Sequence, residues 1–236
     1  MSEARAAAIA KAAASTEKSR RRRASFNGGG SGARRKCVSD PSRGKRHEGG
    51  GPSRAVRVRD AAHYILNQMR ASVDDVPDEE VRRLLALVEG ARSVIIFGRG
   101  RSGLVGRAFA IRLWHLGVPA YFVGETVTPP VQEKDVVVLI SGSGETFSVV
   151  VTGQTAKRLG SKVVVITGEG DSTLAKLAEL TILLRTSSSG RQKELAPLGT
   201  LFENACQVFL DGFVAELMAR RKETEDSMRV RHANVE

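Results

Sequence analysis

Five short runs of apolar residues recur between residues 93 and 186 of the chain: SVIIFG, PAYFVG, DVVVLISG, SKVVVITG and LTILLRT. They are runs of Val, Ile, Leu and aromatics, without the polar–apolar alternation of a sheet that faces water on one side. A strand of this kind is covered on both faces. Helical stretches lie between them, namely SGLVGRAFAIRLWHLG, TFSVVVTGQTAKRLG and STLAKLAE. Two more, DAAHYILNQM and VPDEEVRRLLALVEG, precede the first run, and PLGTLFENACQVFLDGFVAELMARRK follows the last. Pro77 and the acids after it suit a helix start, Ser102 another start, and Gly90 and Gly117 helix ends. The alternation predicts an α/β fold, a three-layer sandwich around a five-stranded parallel sheet. Ligands in such sheets bind beyond the carboxyl ends of the strands, near a topological switch point.

The charge is unevenly placed. The 236-residue chain has a formal charge of +11, yet residues 1–59 hold 16 Lys and Arg against 4 acids, while residues 60–236 hold 21 against 22. The segment 1–56 is rich in Gly, Ser and Arg and poor in large apolar side chains. It is read as a disordered basic tail, since it buries too little to offset its ordering entropy. Such a tail can touch nucleic acid weakly and without sequence preference. It shows no set of helices with apolar faces that would read a major groove. Residues 57–236 are read as the folded domain. Two cysteines make no disulfide framework, and Cys206, in an apolar helical run, is read as a small core residue. No stretch is apolar and long enough to span a bilayer. No apolar h-region opens the chain, so a cytoplasmic setting is the expectation.

Two Gly-rich loops end neighbouring strands. GRGRSG, Gly98 to Gly103, has the spacing GxGxxG, and Glu125 follows about twenty residues on, an imitation of a dinucleotide fingerprint. A second polar loop, SGSGET, and the lack of room for a separate substrate domain count against a dinucleotide. Both loops lead into helix N-termini, whose free N–H groups favour an anion. Glycines allow close approach, and Ser102, Ser141, Ser143 and Thr146 add hydroxyls. No Lys follows in the manner of a nucleoside triphosphate loop. A single phosphate on a small molecule is the expected ligand. Glu145 would repel that ligand, so it is expected to cap a helix or hold a neighbouring loop. His63 and His115 are read as helix residues.

SGSGET after an apolar strand resembles the signature of sugar isomerase (SIS) domains. GRGRSGLVGRAFAIRLWHLG, YFVGETVTPP, ISGSGET, PLGTLFE and RHANVE resemble the 6-phospho-3-hexuloisomerase family within them, over about residues 60–236. The resemblance implies a single flavodoxin-like SIS domain, a homotetramer with shared active sites, and a sugar phosphate as substrate. It implies interconversion of 3-hexulose 6-phosphate and fructose 6-phosphate after formaldehyde fixation in the ribulose monophosphate pathway. Another SIS isomerase, or a non-catalytic sugar-phosphate sensor in a regulator, are the alternatives.

By this resemblance Ser141, Gly142, Ser143 and Thr146 hold the phosphate, with Gly100, Arg101 and Ser102 from the first loop. Glu203 is implied as the base and His232 as a C-terminal element reaching into a site. Taken alone, Glu203 is also a first-turn acid that suits a helix dipole, and Arg101 also a solvated surface cation. Moving a carbonyl between C3 and C2 through a cis-enediolate takes one proton from one carbon and returns one to the other, which one carboxylate can do. No metal or redox cofactor is required by that chemistry.

Overall fold

In the computed structural model the described residues are 54–186 and 190–235, with side chains from residue 57 onward. The segment read as a basic tail lies outside them, except that residues 54–56 begin the first helix. The elements in chain order are α1 (Arg54–Asp74), α2 (Asp78–Gly90), β1 (Val94–Gly98), α3 (Gly100–His115), β2 (Ala120–Phe122), β3 (Val136–Ile140) and α4 (Phe147–Arg158). They continue with β4 (Lys162–Thr167), α5 (Thr173–Leu177), β5 (Leu180–Leu183), α6 (Gln192–Leu195), α7 (Thr200–Arg220) and α8 (Glu225–Val230).

All five expected strands form one parallel sheet in the order β2-β1-β3-β4-β5. Every residue of β1 and β3 is buried, which is why these segments, VIIFG and VVVLI, carry no polar side chain. Each such side chain contributes roughly 1.5–3 kcal/mol by leaving water. Helices α1, α3 and α7 pack together on one face, and α4 and α5 pack on each other against β3 and β4. The three-layer α/β expectation holds. The short helices α6 and α8 were not expected, being too brief to show periodicity.

The order places the switch point between β1 and β3, whose chains leave in opposite directions. Gly98 at the end of β1 is in register with Ile140 at the end of β3, so the two Gly-rich loops emerge side by side. At the other end of the same strands, Asp135 is fully buried. It accepts from Arg92 Nε (2.9 Å) and Nη2 (2.6 Å), Ser93 Oγ (2.7 Å) and the Gln132 N–H (2.7 Å). Burial pushes its carboxyl up, but the bonds from Arg92, Ser93 and Gln132 outweigh that and hold it below the ordinary value. This staple ties together the segments that lead into β1 and β3.

Candidate active site

Helix α3 begins two residues earlier than Ser102, at Gly100. Gly100 takes a left-handed φ of 56°, a conformation that costs glycine little. The Gly103 N–H then reaches back to the Arg99 carbonyl at 3.2 Å. A Cβ on Gly103 would stand 2.6 Å from the Gly98 carbonyl oxygen. The outer glycines of GxGxxG thus let the helix start press on the strand end, and the fingerprint spacing is explained by packing. Glu125, the imitation of the ribose acid, is paired with Arg107, whose guanidinium also lies 4.1 Å over the Phe122 ring. Ser102 is buried in the first turn of α3.

The second loop is a compact turn. Gly144 has φ 64°, and its N–H donates to the Ser141 carbonyl at 3.1 Å. The hydroxyls of Ser141 and Thr146 lie 3.0 Å apart. Thr146 precedes α4 but makes no side-chain cap bond to it, so its hydroxyl is turned to Ser141 instead. Ser143 is exposed and its Oγ accepts the Glu145 N–H at 3.2 Å. Glu145 points away from the turn and accepts the Thr173 N–H at 2.6 Å. That bond holds its carboxyl below the ordinary value, and it bears out the expectation that Glu145 secures a neighbouring segment.

Glu203 comes to these loops through Phe202. A Cβ on Gly142 would lie 3.0 Å from Phe202 Cδ1, and one on Gly168, at the end of β4, 3.1 Å from the Gly142 carbonyl oxygen. The first turn of α7 therefore rests on the SGSGET loop. Above it the Glu203 carboxylate covers Gly199, where a Cβ would meet Oε1 at 3.1 Å. Arg101 of α3 closes the other side. Its Nε is 3.0 Å from Glu203 Oε2 and its Nη1 donates to Thr200 Oγ1 at 3.2 Å. The Nε–H direction misses the oxygen, so Oε2 is buried without a hydrogen bond. The Glu203 side chain is 14% exposed. Burial pushes its carboxyl above the ordinary value and Arg101 opposes that push.

The fold thus brings Arg101 and Glu203 together, and packs the Ser141–Thr146 loop on the residue before Glu203. Phe202 and Thr200 were missed in the sequence, since an aromatic and a small polar residue at a helix start carry no signature. Cys206, one turn beyond Glu203, is fully buried, as expected. His115 is buried and His63 exposed. His232 lies elsewhere in the chain's own fold. Its ring stacks on His115 with centroids 5.0 Å apart, in a groove of about 630 Å³ whose lining includes Arg107, Trp114, Tyr121 and Arg231 but neither SGSGET nor Glu203. Arg231 anchors this segment by donating to the His115 carbonyl at 2.7 Å and pairing with Glu223 at 2.9 Å.

The SIS domain matches residues 87–198, a stretch that holds both loops and ends before Glu203. An uncharacterised protein of Archaeoglobus fulgidus is 47% identical over 162 residues, 67% of this chain and 88% of its own. A 3-hexulose-6-phosphate isomerase of Bacillus subtilis is 36% identical, over 73% of this chain and 95% of its own length.

The chain belongs to the 3-hexulose-6-phosphate isomerase family of SIS-domain proteins.

A crystal structure from Methanococcus jannaschii, from which the function of 3-hexulose-6-phosphate isomerase was inferred for that protein, superposes on the chain with TM-score 0.64. It is 36% identical and covers 77% of this chain and 98% of its own. As a member of the 3-hexulose-6-phosphate isomerase family the chain is an isomerase of the SIS type. No helix among its described residues is long and apolar enough to cross a membrane.

Proposed function

We propose that the protein interconverts 3-hexulose 6-phosphate and fructose 6-phosphate through a cis-enediolate. The observation that carries this reading is the seating of Phe202 on Gly142, which sets a half-buried carboxylate beside a turn suited to a phosphate. The hydroxyls of Ser141, Ser143 and Thr146 and the free N–H groups of the turn grip the phosphate, with Gly100 and Ser102 at the neighbouring strand end. The phosphate does not react. Its binding fixes C2 and C3 of the sugar over Glu203.

Glu203 takes the C2 proton of the 3-ketose. The C2–H electron pair becomes the C2=C3 bond, and the C3 carbonyl oxygen takes up the negative charge. The O2 hydroxyl proton passes to O3, and the proton held by Glu203 then returns at C3 as the O2 electron pair forms the carbonyl at C2. One carboxylate serves both carbons from one face, which requires the cis-enediolate. Burial makes Glu203 a stronger base than a surface carboxylate. Hydrogen-bond donors must meet the oxyanion, and Arg101 is the nearest cation.

The chain's own His232 is held on His115. A site that uses it draws it from a neighbouring copy, in keeping with a homotetramer with shared sites. We assign the reaction to formaldehyde assimilation or detoxification through the ribulose monophosphate route in the cytoplasm, with the basic tail making at most weak nucleic-acid contact. A coupled assay tests the reading by following fructose 6-phosphate as it forms from 3-hexulose 6-phosphate. Turnover by the wild-type protein is expected, and a folded protein that gives none contradicts the substrate assignment.

A further inference from the structure

Arg101 and Glu203 do not form a settled salt bridge. The contact is close, 3.0 Å, yet it satisfies no hydrogen bond at Glu203 Oε2. The arginine's one hydrogen bond to this helix goes to Thr200 Oγ1, at 3.2 Å, and that hydroxyl itself donates to the Pro197 carbonyl at 2.6 Å. The Arg101 side chain is 53% exposed while its partner is 14% exposed. A long, half-solvated cation is therefore laid, with poor geometry, over the buried oxygen of a half-buried anion. Arg101 also stands in the first turn after β1, whose last residue is in register with the residue before Ser141.

We propose that Arg101 is a latch on the base that the substrate opens. In the free protein it screens the Glu203 carboxylate. When a phosphorylated sugar enters, the guanidinium turns onto the ligand's oxygens, and Glu203 is left buried and without its counter-ion. The inference rests on the reading of Glu203 as base and of the SGSGET turn as phosphate grip. A phosphate dianion attracts a guanidinium more strongly than one carboxylate and offers two oxygens in the fork geometry that arginine prefers. Among the described residues, one weak bond to Thr200 and one off-axis ion contact hold Arg101 in place. The coupling raises the basicity of Glu203 when substrate is present and quenches it when the site is empty.

The charge around Glu203 is simple. Arg101 acts on it from α3. Cys206, on the same helix, is a neutral thiol pushed up by burial and by Glu203. Helices α1 and α2 also pack on α7, and among the described residues no charged group on them acts on Glu203. Removing Arg101 therefore leaves burial unopposed, and the carboxyl titrates at higher pH.

The test is a carbon-13 NMR titration of the glutamate carboxyls, with Glu203 assigned by its loss in Glu203→Gln. The protein is measured free and saturated with fructose 6-phosphate, as wild type, Arg101→Met and Arg101→Lys. In the free state the Met variant is expected to titrate above wild type, with Lys between them. Fructose 6-phosphate is expected to raise the wild-type midpoint more than that of the Met variant. Equal free-state midpoints in wild type and Met variant, or equal ligand-induced rises, would overturn the latch. In turnover, Arg101→Met should lose roughly 10- to 100-fold in kcat/KM, with the acid limb of kcat/KM moved up and that of kcat nearly unmoved. A kcat/KM limb that stays in place also overturns it. A wild type that shows the titration behaviour but no turnover contradicts the proposed reaction and leaves the latch standing.

Discussion

A Cβ on Gly142 would lie 3.0 Å from Cδ1 of Phe202, so the loop after β3 and the helix that carries Glu203 meet with no room for a side chain between them. Gly142 is not among the residues with positive φ, so its requirement is for space. Gly142→Ala should push the start of α7 off the loop. We expect a loss of about 1–3 kcal/mol of stability from overpacking and a fall in kcat/KM on the order of 10²-fold. Urea unfolding and steady-state kinetics on the same preparation check both. Wild-type kinetics in Gly142→Ala would mean that this contact does not position the base.

Glu203→Gln should abolish proton transfer, with a rate loss of about 10²- to 10⁴-fold, and should also make the protein more stable. The folded-state carboxyl is raised above its ordinary 4.5 by burial. The folded state thus holds its proton more tightly than the unfolded state, and stability falls as pH rises from the unfolded value through the folded one. The variant removes that penalty. Its Tm should exceed wild type at pH 7, by about 2–4 °C for each kcal/mol relieved. The gap should close in acid below the unfolded value. Calorimetry across pH checks the sign.

Asp135→Asn should act on the fold and leave the chemistry alone. The buried carboxylate is bonded by Arg92, Ser93 and Gln132 at the end of the sheet opposite the loops. Its carboxyl is held below the ordinary 3.8, so its stabilisation is present above the unfolded value and is lost as pH falls through the folded one. We expect a loss of about 3 kcal/mol at neutral pH, at the low end for breaking a buried pair, because Arg92 stays 40% exposed and can hydrate. The deficit should shrink in strong acid, while kcat of the folded variant stays within about twofold of wild type.

Ser141→Ala should weaken the grip on phosphate and leave Thr146 without its hydroxyl partner at 3.0 Å. The expected loss in kcat/KM is roughly 10- to 100-fold, the range for a hydrogen bond to a charged group. Inorganic phosphate should inhibit the variant more weakly than wild type. Unchanged inhibition would place the phosphate elsewhere.

The fold was legible because all five strands are apolar runs, wholly buried in β1 and β3 and partly covered in the edge strands β2 and β5, and each helix of ten or more residues shows an apolar face. The SGSGET turn was legible because small polar residues and glycines at a strand end have few other uses. The start of α3 was read two residues late, since a left-handed glycine at a helix start leaves no mark that Ser102 does not mask. The Arg101–Glu203 contact was not legible. The two residues are a hundred positions apart, and each alone reads as an ordinary surface charge. The stacking of His232 on His115 escaped for the same reason, because no local pattern links a chain end to the buried face of a distant helix.

The most direct measurement is proton NMR of fructose 6-phosphate incubated with the protein in deuterium oxide. Removal of the C3 proton by Glu203 and its return from solvent should erase the C3–H signal with wild type and leave it intact with Glu203→Gln. Loss of that signal at equal rates in both proteins, or exchange at C1 with C3 untouched, would contradict Glu203 as the base for a 3-ketose isomerisation.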